Sequence, residues 1–331
     1  MNTLKNKFLK ALIGMFAFTA VLSLSAAAQV SGQLDEKEIP LSEFASLNVA
    51  DDFEVTIAQG AYGIRVTVDS ELAPYIEKYV KSKTLYISYD EKSVPKDIKK
   101  LYKGKNAPVP VFRVVVYVPV LESITLSDNV TLTGTDTFQA GKFTLELKDK
   151  AQVKMLTVNA QSAKIDMRKN TQAVLNLTTE RSIEVEAEGN ANLKLTLNGK
   201  ELAVNASSSS VISASGSARS VNVSTAGSSQ LNLSVQADRA EITAEGSSKI
   251  NLSGEGEELK VKASRSATLD GINFHARSCD ADLSGSALVN VDVTKSITAT
   301  LVGGSALYYS GTPEFSIGKI IKSTLAPYGT K

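Results

Sequence analysis

A repeat constrains this chain more than any other feature. Gly227-Ser228-Ser229-Gln230-Leu231 recurs as Gly246-Ser247-Ser248-Lys249-Ile250, Arg265-Ser266-Ala267-Thr268-Leu269, Gly285-Ser286-Ala287-Leu288-Val289 and Gly304-Ser305-Ala306-Leu307-Tyr308, at steps of 19, 19, 20 and 19 residues. Towards the N-terminus it continues through copies that begin at Ser208, Gly189 and Asn170, each 19 residues apart, and then at Asp149 and Asp128, each 21 apart. That makes ten copies between about 122 and 312. Before each turn stands an alternating run such as Val221-Asn222-Val223-Ser224-Thr225, and after it another such as Leu231-Asn232-Leu233-Ser234-Val235. Period-two alternation is the pattern of a strand with one buried face. Gly, Ser, Asn and Asp supply turns that need positive φ or hydrogen-bond their own backbone.

A unit this small cannot bury its own apolar face. Stacked copies can: each strand pairs with its equivalent in the next copy, and the inward residues merge into one core. Coils that all run the same way make a parallel ladder, and parallel crossovers are right-handed. The sequence therefore predicts an all-β, right-handed parallel β-solenoid of about ten 19–21-residue coils with an N-terminal β-rich cap. At about 4.8 Å per coil it would be a rod on the order of 48 Å long. A β-sandwich of the same short strands is the competing architecture, but hairpins do not produce a fixed 19-residue period. The register assigns Val221, Val223, Leu231, Leu233, Ile242, Ala244, Ile250, Leu252, Leu259, Val261, Leu269, Cys279, Ala281 and Leu283 to the interior. Small residues at 229, 248, 267, 287 and 306 are expected inside the corner, with Asn222, Asn232, Thr243, Asn251, Lys260, Asp270, Asp280, Asn290 and Asp292 facing out.

The two ends depart from this pattern. Residues 1–28 read as a signal peptide: Lys5, Lys7 and Lys10 precede the apolar run Ala11 to Leu24, and Ala26-Ala27-Ala28 places cleavage after Ala28. That apolar core is only about 14 residues, short of the roughly 20 a membrane span needs. No cysteine stands near the cleavage point for a lipid anchor, and no later stretch is apolar enough to cross a bilayer as a helix. Residues 34–121 alternate without the repeat, as in Phe53-Glu54-Val55-Thr56-Ile57, and form the expected cap region. Within it Leu72 to Val80 is a candidate short helix, Val111 to Val118 a strong strand, and the lysine-rich stretch a loop. Seven of the ten tyrosines precede residue 120, which suits the covering of an exposed core edge. Residues 122–312 are the repeats, and 313–331, with Pro313 and Pro327, are expected to close the far end.

Composition narrows the chemistry. The 331 residues hold 36 basic and 35 acidic side chains, a balance that argues against a dedicated nucleic-acid binder. Removal of residues 1–28 takes away three lysines and no acids, leaving 33 basic against 35 acidic. One cysteine excludes an internal disulfide, and one histidine with one cysteine leaves little for zinc. Any Ser-His-Asp or Cys-His arrangement would have to use His275.

Several segments bear a family likeness. Asp51-Asp52-Phe53-Glu54-Val55-Thr56-Ile57-Ala58-Gln59-Gly60, Val68-Asp69-Ser70-Glu71-Leu72 and Leu85-Tyr86-Ile87-Ser88 resemble the opening of the GIN-domain proteins, the auto-transporter adhesin heads. The Gly-Ser-x turns resemble that family's body, and Gly304 to Pro313 its ending, so the likeness spans about residues 40–318. It implies an exported β-helical protein of Bacteroidetes-type bacteria with adhesion as its role. An auto-transporter carries a C-terminal membrane barrel. Only about 20 residues follow the last coil here, so other machinery is expected to carry the protein across an outer membrane.

The expected function is that of an exported, non-enzymatic, adhesin-like binding module in the periplasm, on the outer surface or secreted. Its partner would be a cell-surface, glycan or envelope component. A periplasmic or envelope structural protein and a polysaccharide-cleaving β-helix enzyme stand as alternatives. No catalytic residue, cofactor or metal is assigned. Cys279 is expected buried and inert, and His275 exposed at a corner. The column Asn232, Asn251, Asp270, Asn290, with Asp280, Asp282 and Asp292 nearby, is where a calcium or glycosidase site would have to form. With no Trp, and only Phe138, Phe143 and Phe274 as aromatics between 122 and 300, sugar stacking would fall to the tyrosine-rich cap. Lys92, Lys96, Lys99, Lys100, Lys103 and Lys105, with Asp97 the one acid between them, are the candidate contacts for an anionic ligand.

Overall fold

The computed structural model describes residues 33–329, so the expected signal peptide lies outside the described residues. The alternating runs form a parallel β-solenoid of about 11 turns. The register is explicit: Gln230 pairs with Lys249, Lys249 with Thr268 and Thr268 with Leu288, while Ser220 pairs with Arg239 and Arg239 with Glu258. All 14 residues assigned to the interior are buried, and the nine assigned outward are exposed or half-buried. Period-two alternation holds the two sets apart, and the register shifts that interrupt the ladder, as between Asn251 and Ser253, leave all of these faces in place.

Each coil turns two corners. At the first, one residue with positive φ recurs from Asp51 through Asp128 and Asp149 to Gly285 and Gly303. Its neighbouring amides bond from coil to coil, as in Ser228 N–H to Ser208 O at 2.7 Å and Ser247 N–H to Gly227 O at 2.7 Å. Two residues further on, a small side chain fills the inside of the corner: Ser229, Ser248, Ala267 and Ala287 are all buried. The Ser229 hydroxyl donates to Ala226 O at 2.9 Å, so its burial leaves no polar group unmade. The second corner also holds small residues, among them Ala160, Ala218, Ala237 and Ala276.

Two copies sit one residue from their expected register. Lys169, at φ 64°, takes the corner position rather than Asn170, so the steps on either side of it are both 20. Asn is the residue type that usually favours this conformation; here the inward alternation of Ala173, Leu175 and Leu177 overrides that preference. At the last corner Gly303 replaces Gly304, the step is 18, and Ser305 rather than Ala306 is buried. Both glycines have positive φ, 80° and 99°, and the inward placement of Leu307 sets Gly303 in register with Gly285.

The N-terminal region is threaded out of order. Ser46–Val49 lies in parallel between Thr84–Tyr89 and Ser123–Leu126, and Glu54–Ala58 between Phe112–Tyr117 and Thr131–Leu147. The parallel ladder thus starts at Ser46, well before residue 122. The chain leaves this coil after Ala58, builds an antiparallel cap and returns outside it. Gly63–Asp69 pairs antiparallel with Phe112–Tyr117, Leu34–Pro40 with Gly63–Asp69, and Ile76–Lys81 with Thr84–Tyr89. Phe44, Phe53, Leu72 and Leu85 seal the core beneath. Buried Asp69 accepts the Val111 N–H at 2.8 Å and so fixes the returning chain.

The candidate helix over Leu72 to Val80 is not formed. Pro74 starts a single 3-10 turn, Ala73–Tyr75, and the chain then extends as Ile76–Lys81. The hairpin decides this: Ser82 and Lys83, at φ 51° and 58°, make a two-residue turn that pairs Lys81 with Thr84. The lysine-rich stretch, expected as a loop, is partly helical: a 3-10 turn at Glu91–Ser93 and an α-helix at Lys96–Leu101.

Candidate functional site

Among the described residues the catalytic candidates do not converge. His275 Nδ1 lies 2.5 Å from Asp292 Oδ2, an imidazole–carboxylate pair on an open corner, with the ring exposed. Cys279 points the other way, into the core, where burial pushes its thiol up to about 12. A Cys-His pair is therefore ruled out by geometry. Asp280 and Asp282 lie on the strand before the first corner, opposite Thr298 and Thr300. They do not share a face with Asp270. The Asn232, Asn251, Asp270, Asn290 column does form, but as a ladder: Asn251 Nδ2 donates to Asn232 Oδ1 at 2.7 Å and Asn290 Nδ2 to Asp270 Oδ1 at 3.4 Å. These side chains satisfy one another. Among the described residues no three His, Cys, Asp or Glu side chains are grouped to hold a metal.

Among the described residues two sizeable grooves follow the rod. The larger, about 780 Å³, runs across the second corner and is lined by Arg219, Asp238, Glu255, His275, Arg277 and Lys295. Its lining carries both signs of charge, and Arg277 pairs with Glu257 at 3.5 Å. Similar pairs link coils elsewhere on the body: Lys164 with Glu184 and Glu186, Arg239 with Glu258, Lys260 with Glu241, and Arg265 with Glu245. The smaller groove, about 410 Å³, carries Ser213, Ser234, Asn232, Asn251 and Asn273. Both run across several coils and are lined by equivalent positions of successive coils.

The cap differs. Val94 is buried and Ile98 and Tyr102 are half-buried, which fastens the Lys96–Leu101 helix to the core. The Asp90 carboxylate accepts the Ser93 hydroxyl and its N–H, which closes the preceding turn and holds Asp90 below the usual carboxylate range. Lys96, Lys99 and Lys100 stand at i, i+3 and i+4, on one face of the helix. Lys92 precedes it and Lys103 and Lys105 follow. Five of the six are exposed and Lys99 is half-buried. Among the described residues none of the six forms an ion pair. Two apolar side chains missed in the sequence join them: Leu101 is 54% exposed and Val109 75%. Neither breaks a period, so no sequence signal marks them.

The tyrosines divide. Tyr62, Tyr75, Tyr89 and Tyr102 pack against the core, Tyr89 at 4.8 Å from the Phe112 ring. Tyr79 and Tyr86 stack on the outer side of the hairpin, 5.1 Å apart and 16° from parallel, with Tyr79 47% exposed.

The family model described as "Putative auto-transporter adhesin, head GIN domain" matches residues 43–182, 175–234 and 218–313. This chain belongs to the GIN-domain family. As a GIN-domain protein it is an adhesin-like β-helical module. Solved structures share its coverage at low identity. A "putative adhesin" from Parabacteroides merdae is 17% identical over 90% of this chain and 97% of its own, with a TM-score of 0.41. One from Bacteroides fragilis is 15% identical over 90% and 98%, with a TM-score of 0.31. A "putative lipid binding protein" from Parabacteroides distasonis is 15% identical over 89% and 98%, with a TM-score of 0.35. No curated protein matches the chain. Among the described residues no helix of this GIN-domain chain is long and apolar enough to cross a membrane.

Proposed function

We propose that this GIN-domain protein is an exported, non-enzymatic binding module. The solenoid is its rigid spacer, and the lysine-bearing cap meets an anionic surface rich in phosphate or carboxylate groups. One observation carries the reading: among the described residues six lysines crowd one short segment of the cap without an ion pair, whereas on the body Lys164, Arg239, Lys260 and Arg265 are tied to acids of neighbouring coils and the cations without an ion pair, such as Lys154, Lys194 and Lys249, are spread over many coils. Unpaired ammonium groups spread over one projecting segment match a surface of many weak anionic contacts rather than a single enclosed ligand. The family to which the chain belongs supports the adhesin-like role.

The test uses the chain with all six lysines changed to Gln, compared with the unaltered chain. Probes are phosphatidylglycerol vesicles, a carboxylated polysaccharide, and neutral counterparts of each. Near an anionic surface each lysine contributes about 1 kcal/mol, so the loss should exceed 100-fold at low salt. The unaltered chain should also weaken steeply as salt rises. Equal binding by the two proteins would remove the lysine face from the site. Protease shaving of intact host cells addresses location. Rapid loss of the protein is expected, and protection until the outer membrane is broken would point instead to an envelope protein facing the periplasm.

A further inference from the structure

The two ends of the rod are built differently. At the N-terminal end the outermost strand, Leu34–Pro40, carries Asp35, Glu36, Lys37 and Glu38 and finishes in proline. Charges and proline on an edge discourage another strand from adding to it. At the C-terminal end the last strands are Glu314–Ile321, paired on one side with Leu288–Val302, and Thr324–Pro327, paired on one side with Ala306–Ser310. Among the described residues neither has a strand on its other edge. Its apolar residues continue the interior columns of the solenoid. Phe315 follows Cys279 and Ile297, Ile317 follows Ala281 and Ala299, and Ile320 follows Leu283 and Leu301. The earlier members of each column are at most 3% exposed, but Phe315, Ile317 and Ile320 are 43%, 45% and 40% exposed. Ile321 and Tyr328 add 45% and 50%. Residues 313–329 thus extend the core without covering it.

We propose that this open end is a homodimer interface in which a second copy of the chain docks end to end, strand Glu314–Ile321 pairing antiparallel with itself. Three observations select a second copy. First, the vacant edge offers backbone donors and acceptors beside apolar side chains, which another exposed strand of the same kind satisfies. Second, Glu314 opens the strand while Lys319 and Lys322 stand at its far end, so an antiparallel copy sets glutamate near lysine at both ends of the contact. The guarded N-terminal edge meanwhile opposes head-to-tail addition. Third, the area suffices. Eight residues at about 3.3 Å, across two sheets about 10 Å apart with their side chains, give roughly 500 Å² per copy. The total of about 1,000 Å² reaches the threshold for a specific interface. The paired rod would carry its two caps at opposite ends, on the order of 100 Å apart.

The experiment is light scattering coupled to size exclusion on the purified chain, its Ile317→Lys variant and its Ile320→Lys variant. Both positions are exposed in the single chain, so circular dichroism should show both variants folded. The unaltered chain should run as a dimer at about 20 µM, and each variant should shift to monomer through at least a tenfold weaker dissociation constant. A monomer at every concentration, a dimer that persists in both variants, or assemblies that keep growing with concentration would each overturn the proposal. A spin label on Ser316→Cys gives the geometry, because the one native cysteine is buried. Labels in the end-to-end dimer should lie within about 20 Å of each other, and a separation beyond about 40 Å would refute the pairing.

Discussion

Gly254 offers the sharpest test of how tightly the coils stack. It pairs with Val235 in the parallel ladder and has φ +120°, a conformation that L side chains rarely adopt. A Cβ built there would sit 1.9 Å from the Val235 carbonyl oxygen. Relief requires the two coils to separate locally by about 1 Å on a spacing of about 4.8 Å. The forced backbone conformation costs about 1–3 kcal/mol. Disrupting two ladder hydrogen bonds adds about 0.5–1.5 kcal/mol each. Gly254→Ala should therefore destabilise the protein by about 3–5 kcal/mol. Gly141 is the control: it lies on the same kind of strand without positive φ, and nothing would meet its added Cβ within 4 Å. Gly141→Ala should leave stability unchanged or raise it by up to about 1 kcal/mol, through the unfolded chain alone. The assay is urea unfolding followed by far-UV circular dichroism and tyrosine fluorescence. Because each coil leans only on its neighbours, proteolysis of the Gly254 variant should begin in the flanking coils. If the two variants unfold at the same urea concentration, backbone crowding between coils does not limit this fold.

Two further predictions concern ionisable groups. Burial raises the Cys279 thiol from 9.0 to about 12, so folding favours the protonated form. Its contribution to stability is complete below pH 9 and should be lost as pH rises towards 12, and native protein should resist alkylation at pH 8 but react in denaturing urea; rapid native alkylation would place the thiol outside the core. Asp51, at the first corner, is raised mainly by burial and partly by Asp128 and Asp52, although it accepts the Tyr89 N–H at 2.8 Å. Asp51→Asn keeps an acceptor and suits positive φ, so its urea midpoint at pH 7 should equal or exceed that of the unaltered chain; a clear fall would show that the negative charge itself is needed.

Much of the body could be read from the residues alone. Alternation such as Val221-Asn222-Val223 assigns a face to each side chain, and recurrence at 19 residues requires each face to stack on its copy. That local and periodic information specified the solenoid, its inward columns and the exposed Asn ladder. Where two local preferences competed, the sequence pointed to the wrong one. Asn170 looked like the corner residue beside Lys169, and Pro74 like the start of a helix. Inward register settled the first, and the Ser82-Lys83 hairpin the second.

Only the tertiary structure decided the ends. Nothing in the order of residues shows that Ser46–Val49 lies between Thr84–Tyr89 and Ser123–Leu126, because the pairing joins segments far apart in the chain. Nor does alternation tell a covered strand from a final one. Phe315, Ile317 and Ile320 carry the same inward pattern as Ile297, Ala299 and Leu301, and differ in that no strand pairs with their outer edge among the described residues. The six lysines were visible in the sequence, but their lack of partners was not. Ion pairing depends on which coil lies alongside, and that is a property of the stack rather than of any one segment.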